Sequence, residues 1–293
     1  MRCDRCGRDA VVFQRYSGLH LCGDHFQGDL VARAKRTIRA RGWIRTGDRI
    51  AVALSGGVSS TSLLHFLSAH FGMRRDLTLV AISVDEGSGS RRDTDRAERV
   101  ARGMGIEWAG TSFSEEFGDI PDPGPGLLPG SCRDLLRGHA LASLAGRMGA
   151  TKLALGTTLD DRARSVLLAV LRGETTGLLA RHTHAVGGIP AIMPFERIPL
   201  EEVALYARLN IPDCDQGPVM PASGPQETGE GRILDEYAHR HPAAPFSLAN
   251  LGAALAGEGV PRPGTPARCE SCREPCAGGC PARRILDQVA GRG

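Results

Sequence analysis

Cysteine and histidine residues stand close together at the start of the chain. The pattern Cys3-x-x-Cys6 is followed by Cys22-x-x-His25, which supplies three thiols and one imidazole. Spacings of this kind are typical of zinc sites, where four such ligands surround the ion as a tetrahedron. The alternating segment between the two pairs predicts a small hairpin that brings them together. Free surface thiols are the alternative interpretation.

A second group of cysteines lies near the other end of the chain. Its members are Cys269, Cys272, Cys276 and Cys280. The segment around them is rich in proline and glycine and cannot form a core alone, so bound metal is expected to fold it. Zinc is the first choice here too, which makes two Zn²⁺ sites. An iron–sulfur cluster is the alternative, because its ligands are also cysteines.

A turn of serine and glycine follows the first apolar segment. Residues 48–54 predict a short strand, residues 61–71 predict a helix, and the sequence SGGVSS from Ser55 to Ser60 joins them. The first amides of a helix have no partners within it and its dipole favours negative charge, so such a turn can bind phosphate. A plain strand-to-helix turn is the alternative.

Pairs of acidic residues follow two later predicted strands. They are Asp85 and Glu86, after the strand in residues 77–87, and Asp160 and Asp161, after the strand in residues 150–156. The carboxyl ends of parallel strands form the edge where open α/β sheets bind ligands. The second pair also suits the N-cap and first turn of the following helix.

Strands and helices alternate through the middle of the chain. Further helices are predicted at 92–105, 134–149, 162–174 and 200–210, a further strand at 106–113, and an extended connection at 185–199. This alternation predicts an α/β fold with a doubly wound parallel sheet and its binding loops on one edge. Helices are also predicted at 232–241 and 247–257.

A basic helix is predicted before this α/β region. Residues 29–41 place Leu30, Ala34 and Ile38 on one face, and Arg33 is among the basic residues around the rest. Such a helix could lie on RNA phosphates, or the basic residues could form a solvated face.

Three motifs carry a resemblance to a known family. SGGVSS at 55–60, LGTTLDD at 155–161 and MPFERIPLEEVALYARLNIPDC at 193–214 resemble the PP-loop ATP pyrophosphatases, whose fold is HUP-like. Within them, the chain is most similar to the tRNA 2-thiolation (thiouridine synthetase) family, which also carries zinc fingers at both ends. The resemblance implies an ATP-dependent tRNA sulfurtransferase that adenylates a uridine oxygen, releases pyrophosphate and inserts sulfur.

The resemblance also implies roles for individual residues. ATP contacts fall on Ala53, Leu54, Ser55, Gly56, Gly57, Ser59, Ser60, Ser83, Asp85, Gly156 and Asp160. Mg²⁺ would be held partly by Asp160 or Asp161. Catalytic roles fall on Asp161 and on the sulfur-handling residues Cys132 and Cys214.

The sequence departs from the family pattern at several positions. Ser59 stands where the family loop has aspartate, and Thr157-Thr158 replaces His-Asn. Cys214 matches a family cysteine, whereas Gly130 and Arg133 occupy the positions of the family Cys-x-x-Cys.

Cys132 is one residue out of register with that motif. Cys132 and Cys214 together would give a 4Fe–4S cluster two cysteine ligands, one fewer than the usual minimum of three. A disulfide or persulfide relay between Cys132 and Cys214, or two ordinary buried thiols, are the alternatives. The departures leave two other functions open. One is a catalytically degenerate paralogue that binds ATP or RNA as a partner or regulator, and the other is an adenylating enzyme without sulfur transfer.

Composition limits the remaining possibilities. The 293 residues include 36 basic and 33 acidic ones, so net charge alone does not indicate a nucleic-acid binder. No apolar stretch is long enough for a membrane span, and the first residues lack a signal-peptide core, so a cytoplasmic protein is predicted. The resemblance implies tRNA, a sulfur donor such as a ubiquitin-like sulfur carrier, and a homodimer as partners.

The same patterns predict the domain organisation. We expect an N-terminal zinc finger at 1–28, a PP-loop ATP-binding domain at 29–215, a helical or irregular linker at 216–264 and a cysteine-rich metal finger at 265–293. His182, His184, His239 and His241 have no nearby acid or cysteine in sequence and are interpreted as surface residues.

Overall fold

The computed structural model describes residues 1–87, 91–118, 130–173, 185–211 and 229–257 of the chain. These residues divide into two compact units. The first unit contains the described residues of 1–44, 156–173 and 193–257, and the second contains those of 45–155 and 185–192.

The predicted elements are present with modest shifts at their ends. The strands are β1 Val12–Gln14, β2 Leu19–Leu21, β3 Arg49–Ala53, β4 Thr78–Asp85, β5 Glu107–Ser112, β6 Lys152–Ala154, β7 Ala185–Val186 and β8 Ile189–Ile192. The helices are α1 Gly23–Arg41, α2 Val58–Phe71, α3 Arg91–Gly103, α4 Phe113–Phe117, α5 Gly130–Arg147, α6 Leu159–Leu171, α7 Leu200–Asn210, α8 Gly229–Arg240 and α9 Ala244–Gly257.

The second unit contains the main sheet. Within the described residues its strands follow the order β5-β4-β3-β6-β8-β7. β3 pairs in parallel with β4 and β6, and β8 pairs in parallel with β6. The predicted parallel α/β sheet is therefore confirmed.

The far edge of this sheet differs from the prediction. Residues 185–192, predicted as an extended connection, form a hairpin in which β7 runs antiparallel to β8. The turn consists of Gly187 and Gly188, with φ values of 53° and 83°. Positive φ at both central residues is what a two-residue hairpin turn requires, so the glycine pair makes the sheet mixed.

The sheet is buried by helices because its strands are apolar on both faces. Val80, Ile82 and Leu153 of the sheet pack with Leu141 and Leu144 of α5 in one core cluster. Strands that are buried on both faces are typical of parallel sheets, and in sequence they are continuous apolar runs.

The strand order places the glycine turn at a special position. β4 and β5 lie on one side of β3, and β6 lies on the other side. The chain thus reverses its direction of sheet building at the carboxyl end of β3. Ligands of open α/β sheets bind at such a switch point, and residues 54–57 follow β3 there.

The first unit joins a small hairpin to helices. β1 and β2 pair antiparallel with Phe13 opposite His20, which confirms the predicted hairpin. The face of α1 with Leu30, Ala34 and Ile38 is buried, as predicted, but the helix begins at Gly23. Its earlier start follows from Asp24, an acid that stabilises the first turn.

Helix α6 packs against α8 and α9 in the same unit, and the two helices predicted at 232–241 and 247–257 correspond to α8 and α9. Among the described residues, no helix combines the length and the apolar character needed to cross a membrane.

Candidate functional site

The four predicted ligands near the start of the chain lie together. The ligand atoms of Cys3, Cys6, Cys22 and His25 are all within 4.8 Å of one another. The Sγ atoms of Cys6 and Cys22 are 3.7 Å apart, and His25 Nδ1 is 3.4 Å from the Sγ atoms of Cys3 and Cys22. Bonds of about 2.3 Å to a tetrahedral zinc ion separate sulfurs by roughly 3.8 Å, so the donor set fits zinc.

Backbone turns position these ligands. The amides of Cys6 and Gly7 donate to the carbonyl of Cys3, which closes the first knuckle. Cys22 is the N-cap of α1 and places His25 in its first turn. Burial alone would raise the pKa of Cys3. Hydrogen bonds from backbone N–H groups, led by that of Cys22, outweigh burial and lower this pKa to about 6. The Arg8 side chain lowers the pKa of Cys6. The shifts at Cys3 and Cys6 favour the thiolates that bind metal. At Cys22 the His25 amide lowers the pKa, but burial and the bonds to Cys6 and Cys3 outweigh this amide, so the pKa of Cys22 is raised.

A buried acid ties the hairpin to the helices of the same unit. Glu202 of α7 is 2% exposed, and its Oε1 accepts bonds from Tyr16 Oη at 2.7 Å and Gln14 Nε2 at 3.1 Å. Arg33 of α1 forms an ion pair with Glu202 and with Asp29. This cluster was absent from the sequence predictions. The sequence does contain a signal for the buried acid. Glu202 lies beside Val203 and four residues before Tyr206, which places it on the apolar face of a predicted helix.

Arg33 therefore has a different role from the one predicted. Its side chain is 17% exposed and takes part in the Glu202 cluster, so it does not belong to a solvated or RNA-facing surface of α1. Arg36 and Arg39 of the same helix are exposed. The basic-surface interpretation is left with these two residues, with the half-buried Lys35 and with Arg41, which is paired with Glu196.

The glycine turn in the second unit is held by serine hydroxyls. The amide of Ser55 donates to Ser60 Oγ at 3.2 Å, and Ser60 Oγ donates to the carbonyl of Gly57 at 3.0 Å. Ser55 Oγ lies 3.2 Å from Ser60 Oγ. Gly57 is the N-cap of α2 and has no side chain to cap it, so the first amides of the helix remain available to an anion.

Gly56 brings two backbone segments into close contact. Its φ is +76°, and a Cβ atom added to it would lie 2.7 Å from the carbonyl oxygen of Asp93 in α3. Both the left-handed conformation and the close approach require glycine. The turn is thus a fixed cradle between β3 and α2, which has the form of a phosphate-binding loop.

Ser59 occupies the first turn of α2 and is 6% exposed. The position at which the resembled family has an acid is therefore buried at the helix start. An aspartate would be stabilised there by the dipole, whereas serine brings no charge to the loop.

Side-chain hydrogen bonds join β5 to β4 and β4 to the residue that follows β3. Ser83 Oγ donates to the carbonyl of Leu54 at 2.7 Å and accepts from Trp108 Nε1 at 3.0 Å. Ser83 is 2% exposed. The predicted nucleotide contact at Ser83 is thus a buried hydroxyl bonded within the protein. Asp85 Oδ1 accepts from the amide of Gly87 at 3.0 Å, just beyond the strand end.

The acids after β6 belong to the first unit, and both bind backbone. The N-cap of α6 is Thr158, and Asp161 completes a capping box, with Asp161 Oδ2 accepting from Thr158 N at 2.8 Å. Asp160 Oδ2 accepts from the amide of Leu200 at 2.6 Å. Both acids lie in the first turn of α6, as predicted, whereas the N-cap is Thr158 and not an acid. Thr158 keeps the N-cap that asparagine would provide.

The pKa of Asp160 is raised to about 6, chiefly by burial and also by the negative charges of Asp161 and Glu201, which together outweigh the lowering effect of the Leu200 amide. Two adjacent carboxylates remain a suitable donor set for Mg²⁺, which prefers oxygen ligands.

An ion-pair cluster lies where β4 ends. Arg137 of α5 forms a two-pronged bond with Glu86, and Arg133 Nη1 lies 3.9 Å from Glu86 Oε2. Arg133, at a position of the family Cys-x-x-Cys, thus carries a positive charge beside an acid.

Some predicted residues lie outside the described part of the chain. They are Cys214, Cys269, Cys272, Cys276, Cys280, His182 and His184, together with the side chain of Cys132. His239 and His241 are exposed, which confirms their interpretation as surface residues.

Comparison with known proteins agrees with this architecture. A family model described as the PP-loop domain matches residues 29–211. A second, described as the N-terminal LIM domain of 2-thiouridine synthetase TtuA, matches residues 2–27. The first match covers the glycine turn and the main sheet, and the second covers the four-ligand cluster.

Individual relatives are similar over most of their length. The tRNA 2-thiolation protein NcsA of Haloferax volcanii is 30% identical, covering 85% of this chain and 84% of that protein. Cytoplasmic tRNA 2-thiolation protein 1 of Bos taurus is 28% identical, covering 92% and 82%. The solved structure of the U34-tRNA thiolase NcsA from Methanococcus maripaludis with its 4Fe–4S cluster has a TM-score of 0.77 at 23% identity, covering 88% and 89%.

The fold and the loop define a PP-loop protein. Within that class, the chain belongs to the family of the tRNA 2-thiolation proteins.

Proposed function

We propose that this protein is an ATP-dependent enzyme that 2-thiolates uridine in tRNA. The observation that carries the proposal is the phosphate-type loop at the switch point of the sheet, in a chain 30% identical to a tRNA 2-thiolation protein along most of both lengths. The loop supplies what the first step requires, which is a site for the phosphates of ATP.

The reaction has two balanced steps. The uridine oxygen attacks the α-phosphorus of ATP, an O–P bond forms, and pyrophosphate leaves. A sulfur nucleophile then replaces the adenylated oxygen, and AMP leaves with that oxygen. The first step converts a poor leaving group into a good one, so the main task of the protein is to hold the phosphates while charge develops on them.

Our proposed ATP site combines backbone and hydroxyl donors. The amides of Gly56 to Ser60 and the hydroxyls of Ser55 and Ser60 bind the departing pyrophosphate. Backbone around Ala53 and Leu54 and the strand end from Ser83 to Asp85 hold the nucleoside. Gly156 and Asp160, in the first unit, keep the nucleotide contacts that the resemblance implies, and Asp160 and Asp161 are the proposed Mg²⁺ ligands. When bound, Mg²⁺ would neutralise charge on the phosphates.

The metal clusters are proposed to be structural. Cys3, Cys6, Cys22 and His25 present the donor set and spacing of a closed zinc site, which leaves no open position for a substrate. We propose zinc for the cysteines from Cys269 to Cys280 as well. The expected division into fingers at 1–28 and 265–293, a PP-loop domain at 29–215 and a linker at 216–264 stays part of the proposal.

Sulfur transfer is assigned to Cys132 and Cys214. In one scheme, sulfide opens a Cys132–Cys214 disulfide and leaves a persulfide on one cysteine and a thiol on the other. The outer sulfur of the persulfide attacks the adenylated carbon and AMP leaves, after which the free thiol attacks the inner sulfur, so that the disulfide forms again and the outer sulfur stays on the base. In the other scheme, the two cysteines serve as ligands of an iron–sulfur cluster with a ligand from outside the chain. The proposed partners are tRNA, a sulfur donor such as a ubiquitin-like sulfur carrier, and a second copy of the chain. The name of the bovine relative supports a cytoplasmic location.

The test is an assay of both steps on anaerobically purified protein. The wild type is incubated with ATP, Mg²⁺ and bulk tRNA, with sulfide as the sulfur source. We expect AMP and pyrophosphate to form only when tRNA is present, and 2-thiouridine to appear in the digested tRNA. ATP binding without tRNA-dependent AMP release would instead indicate a degenerate paralogue that binds nucleotide as a regulator.

The variant Cys214→Ala separates the two steps. We expect it to lose at least 90% of thiolation, roughly tenfold or more, while ATP affinity and AMP release stay near the wild-type values. Wild-type thiolation by Cys214→Ala would remove this cysteine from the mechanism. AMP release without thiolation in the wild type itself would favour an adenylating enzyme with another second step.

A further inference from the structure

A hydrogen-bonded chain links three neighbouring strands of the main sheet and ends where the phosphate loop begins. It begins at Trp108 of β5, whose Nε1 donates to Ser83 Oγ of β4 at 3.0 Å. Ser83 Oγ in turn donates to the carbonyl of Leu54 at 2.7 Å, directly after β3. Because Ser83 is 2% exposed, water does not readily replace either bond.

The chain ends on one particular peptide unit. The carbonyl of Leu54 and the amide of Ser55 belong to the same planar group. The carbonyl is held by Ser83, and the amide donates to Ser60 Oγ at 3.2 Å. Both polar ends of the peptide are therefore fixed at the point where β3 becomes the loop.

The loop continues directly from this fixed peptide. Ser60 Oγ also donates to the carbonyl of Gly57, and Gly56 follows with φ of +76°. A rotation of the Leu54–Ser55 peptide would break the bond to Ser60 and redirect the amides that follow. Preorganised donors are worth more to a phosphate than donors that must first be ordered.

The indole of Trp108 is seated by a glycine on its own strand. A Cβ atom added to Gly110 would lie 2.7 Å from Trp108 Cη2 and 3.0 Å from Cζ2. The six-membered ring of the indole thus occupies the space that a side chain at position 110 would need, while Nε1 reaches Ser83. Trp108 and Ser83 lie on the same face of the sheet. Gly110 pairs with Ser83 across β4 and β5, and Trp108 is two residues from Gly110 on the same strand.

We infer that Trp108 is a positioning residue, which acts through the Ser83 hydroxyl to hold the Leu54–Ser55 peptide in the orientation that the phosphate loop needs. Ser83 is the relay in this arrangement. The inference rests on the proposed function only in taking ATP as the ligand of the loop.

Hydrogen exchange of the nucleotide-free protein tests the inference directly. Trp108→Phe keeps an aromatic side chain on β5 and removes the N–H donor together with one ring of the indole. We expect amides of residues 54–60 to exchange about three- to tenfold faster in this variant, the range for loss of one hydrogen bond. Trp43→Phe is the matched control, since it makes the same change at the other tryptophan, in the first unit, and is expected to leave this segment at the wild-type rate.

Ser83→Ala provides a second, independent variant. It breaks both bonds and leaves the Leu54 carbonyl without this partner, so we expect a larger effect, roughly ten- to a hundredfold in exchange rate and in ATP dissociation constant. In the double variant the tryptophan change should add nothing, because the relay is already absent. Thermal midpoints measured alongside identify any general unfolding.

Two results would overturn the inference. One is an unchanged exchange rate over residues 54–60 in Trp108→Phe, and the other is full additivity of the two substitutions. The exchange measurement needs no nucleotide, so it decides the role of Trp108 whether or not the wild type releases AMP. Failure of AMP release in the wild type would count against the proposed function alone.

Discussion

The metal cluster and the phosphate loop are built in opposite ways. In the cluster, the chemistry is carried by side chains, and Cys3, Cys6, Cys22 and His25 converge with their ligand atoms within 4.8 Å. In the loop, the chemistry is carried mainly by backbone amides, and the residues that shape it are glycines and serines. One site depends on which residues are present, and the other depends on how the backbone is held.

This difference determines what supports each site. The cluster is supported by short knuckles and by one buried acid, Glu202, which binds Gln14 and Tyr16 of the hairpin. The loop is supported by residues far from it in sequence, namely Ser83, Trp108 and Asp93. Substitutions in the cluster should therefore act through loss of metal, and those near the loop should act through backbone conformation.

The largest effect is expected from loss of a metal ligand. Cys22→Ser replaces a thiolate with a weak ligand, and the binding energy of a structural zinc is folding energy of the order of 10 kcal/mol. We expect the variant to lose about one equivalent of zinc per chain and residues 1–28 to become sensitive to protease.

Zinc content after gel filtration is the measurement for this variant. Ser17→Ala, in the turn of the same hairpin, is the control and should retain the wild-type content. Full zinc content in Cys22→Ser would show that the cluster is not a metal site, and the contrast between the two regions would no longer hold.

A smaller effect is expected from a methyl group in the loop. Gly56→Ala places a side chain at φ of +76° and 2.7 Å from the Asp93 carbonyl, so strain and repulsion act together. We expect a loss of roughly 2 to 4 kcal/mol in the free energy of unfolding and at least about tenfold weaker ATP binding. Urea unfolding and calorimetry measure the two quantities.

The neighbouring glycine supplies the stability control. Gly57 has φ of −79°, and a Cβ atom there would meet only Ser55 Oγ, at 3.4 Å. Gly57→Ala should therefore change the free energy of unfolding by less than about 1 kcal/mol. Equal destabilisation by the two substitutions would argue against the specific backbone contact with Asp93.

The contrast also explains which features could be predicted from the sequence. The four ligands follow from residue types and spacing, and the parallel sheet follows from apolar runs alternating with helices. Both signals are local. The burial of Leu30, Ala34 and Ile38 likewise follows from helical period alone.

The features that were missed depend on contacts between distant segments. Arg33 has the type and position of a surface residue, and only the buried Glu202, 169 residues away, brings it into an ion-pair cluster. The bonds of the Ser83 hydroxyl to Leu54 and Trp108 likewise join segments that are distant in sequence, while the nucleotide contact at this end of β4 stays a prediction. The β7–β8 hairpin was missed because its strands are too short for a periodic signal, although the pair Gly187-Gly188 indicated its turn.

Asp160 combines features of the two regions. It is a charged side chain, like the ligands of the metal cluster, and it holds the backbone by accepting a hydrogen bond from the Leu200 amide. Its pKa is raised from 3.8 to about 6, first by burial. A raised pKa means that the folded protein prefers the protonated form. The stabilisation that this preference provides is complete below about pH 4 and is lost as the pH rises through 6.

Asp160→Asn should remove this dependence, because the amide oxygen still accepts from Leu200 and carries no charge. At pH 7 and without divalent ions, we expect the variant to be more stable than the wild type by about 1 to 2 kcal/mol, with no gain at pH 4. Urea unfolding at a series of pH values measures the difference, in which other titrations cancel. A constant difference at all pH values would mean that the carboxylate charge is not what burial opposes, and a loss of stability at pH 7 would mean that the charge itself holds the start of α7.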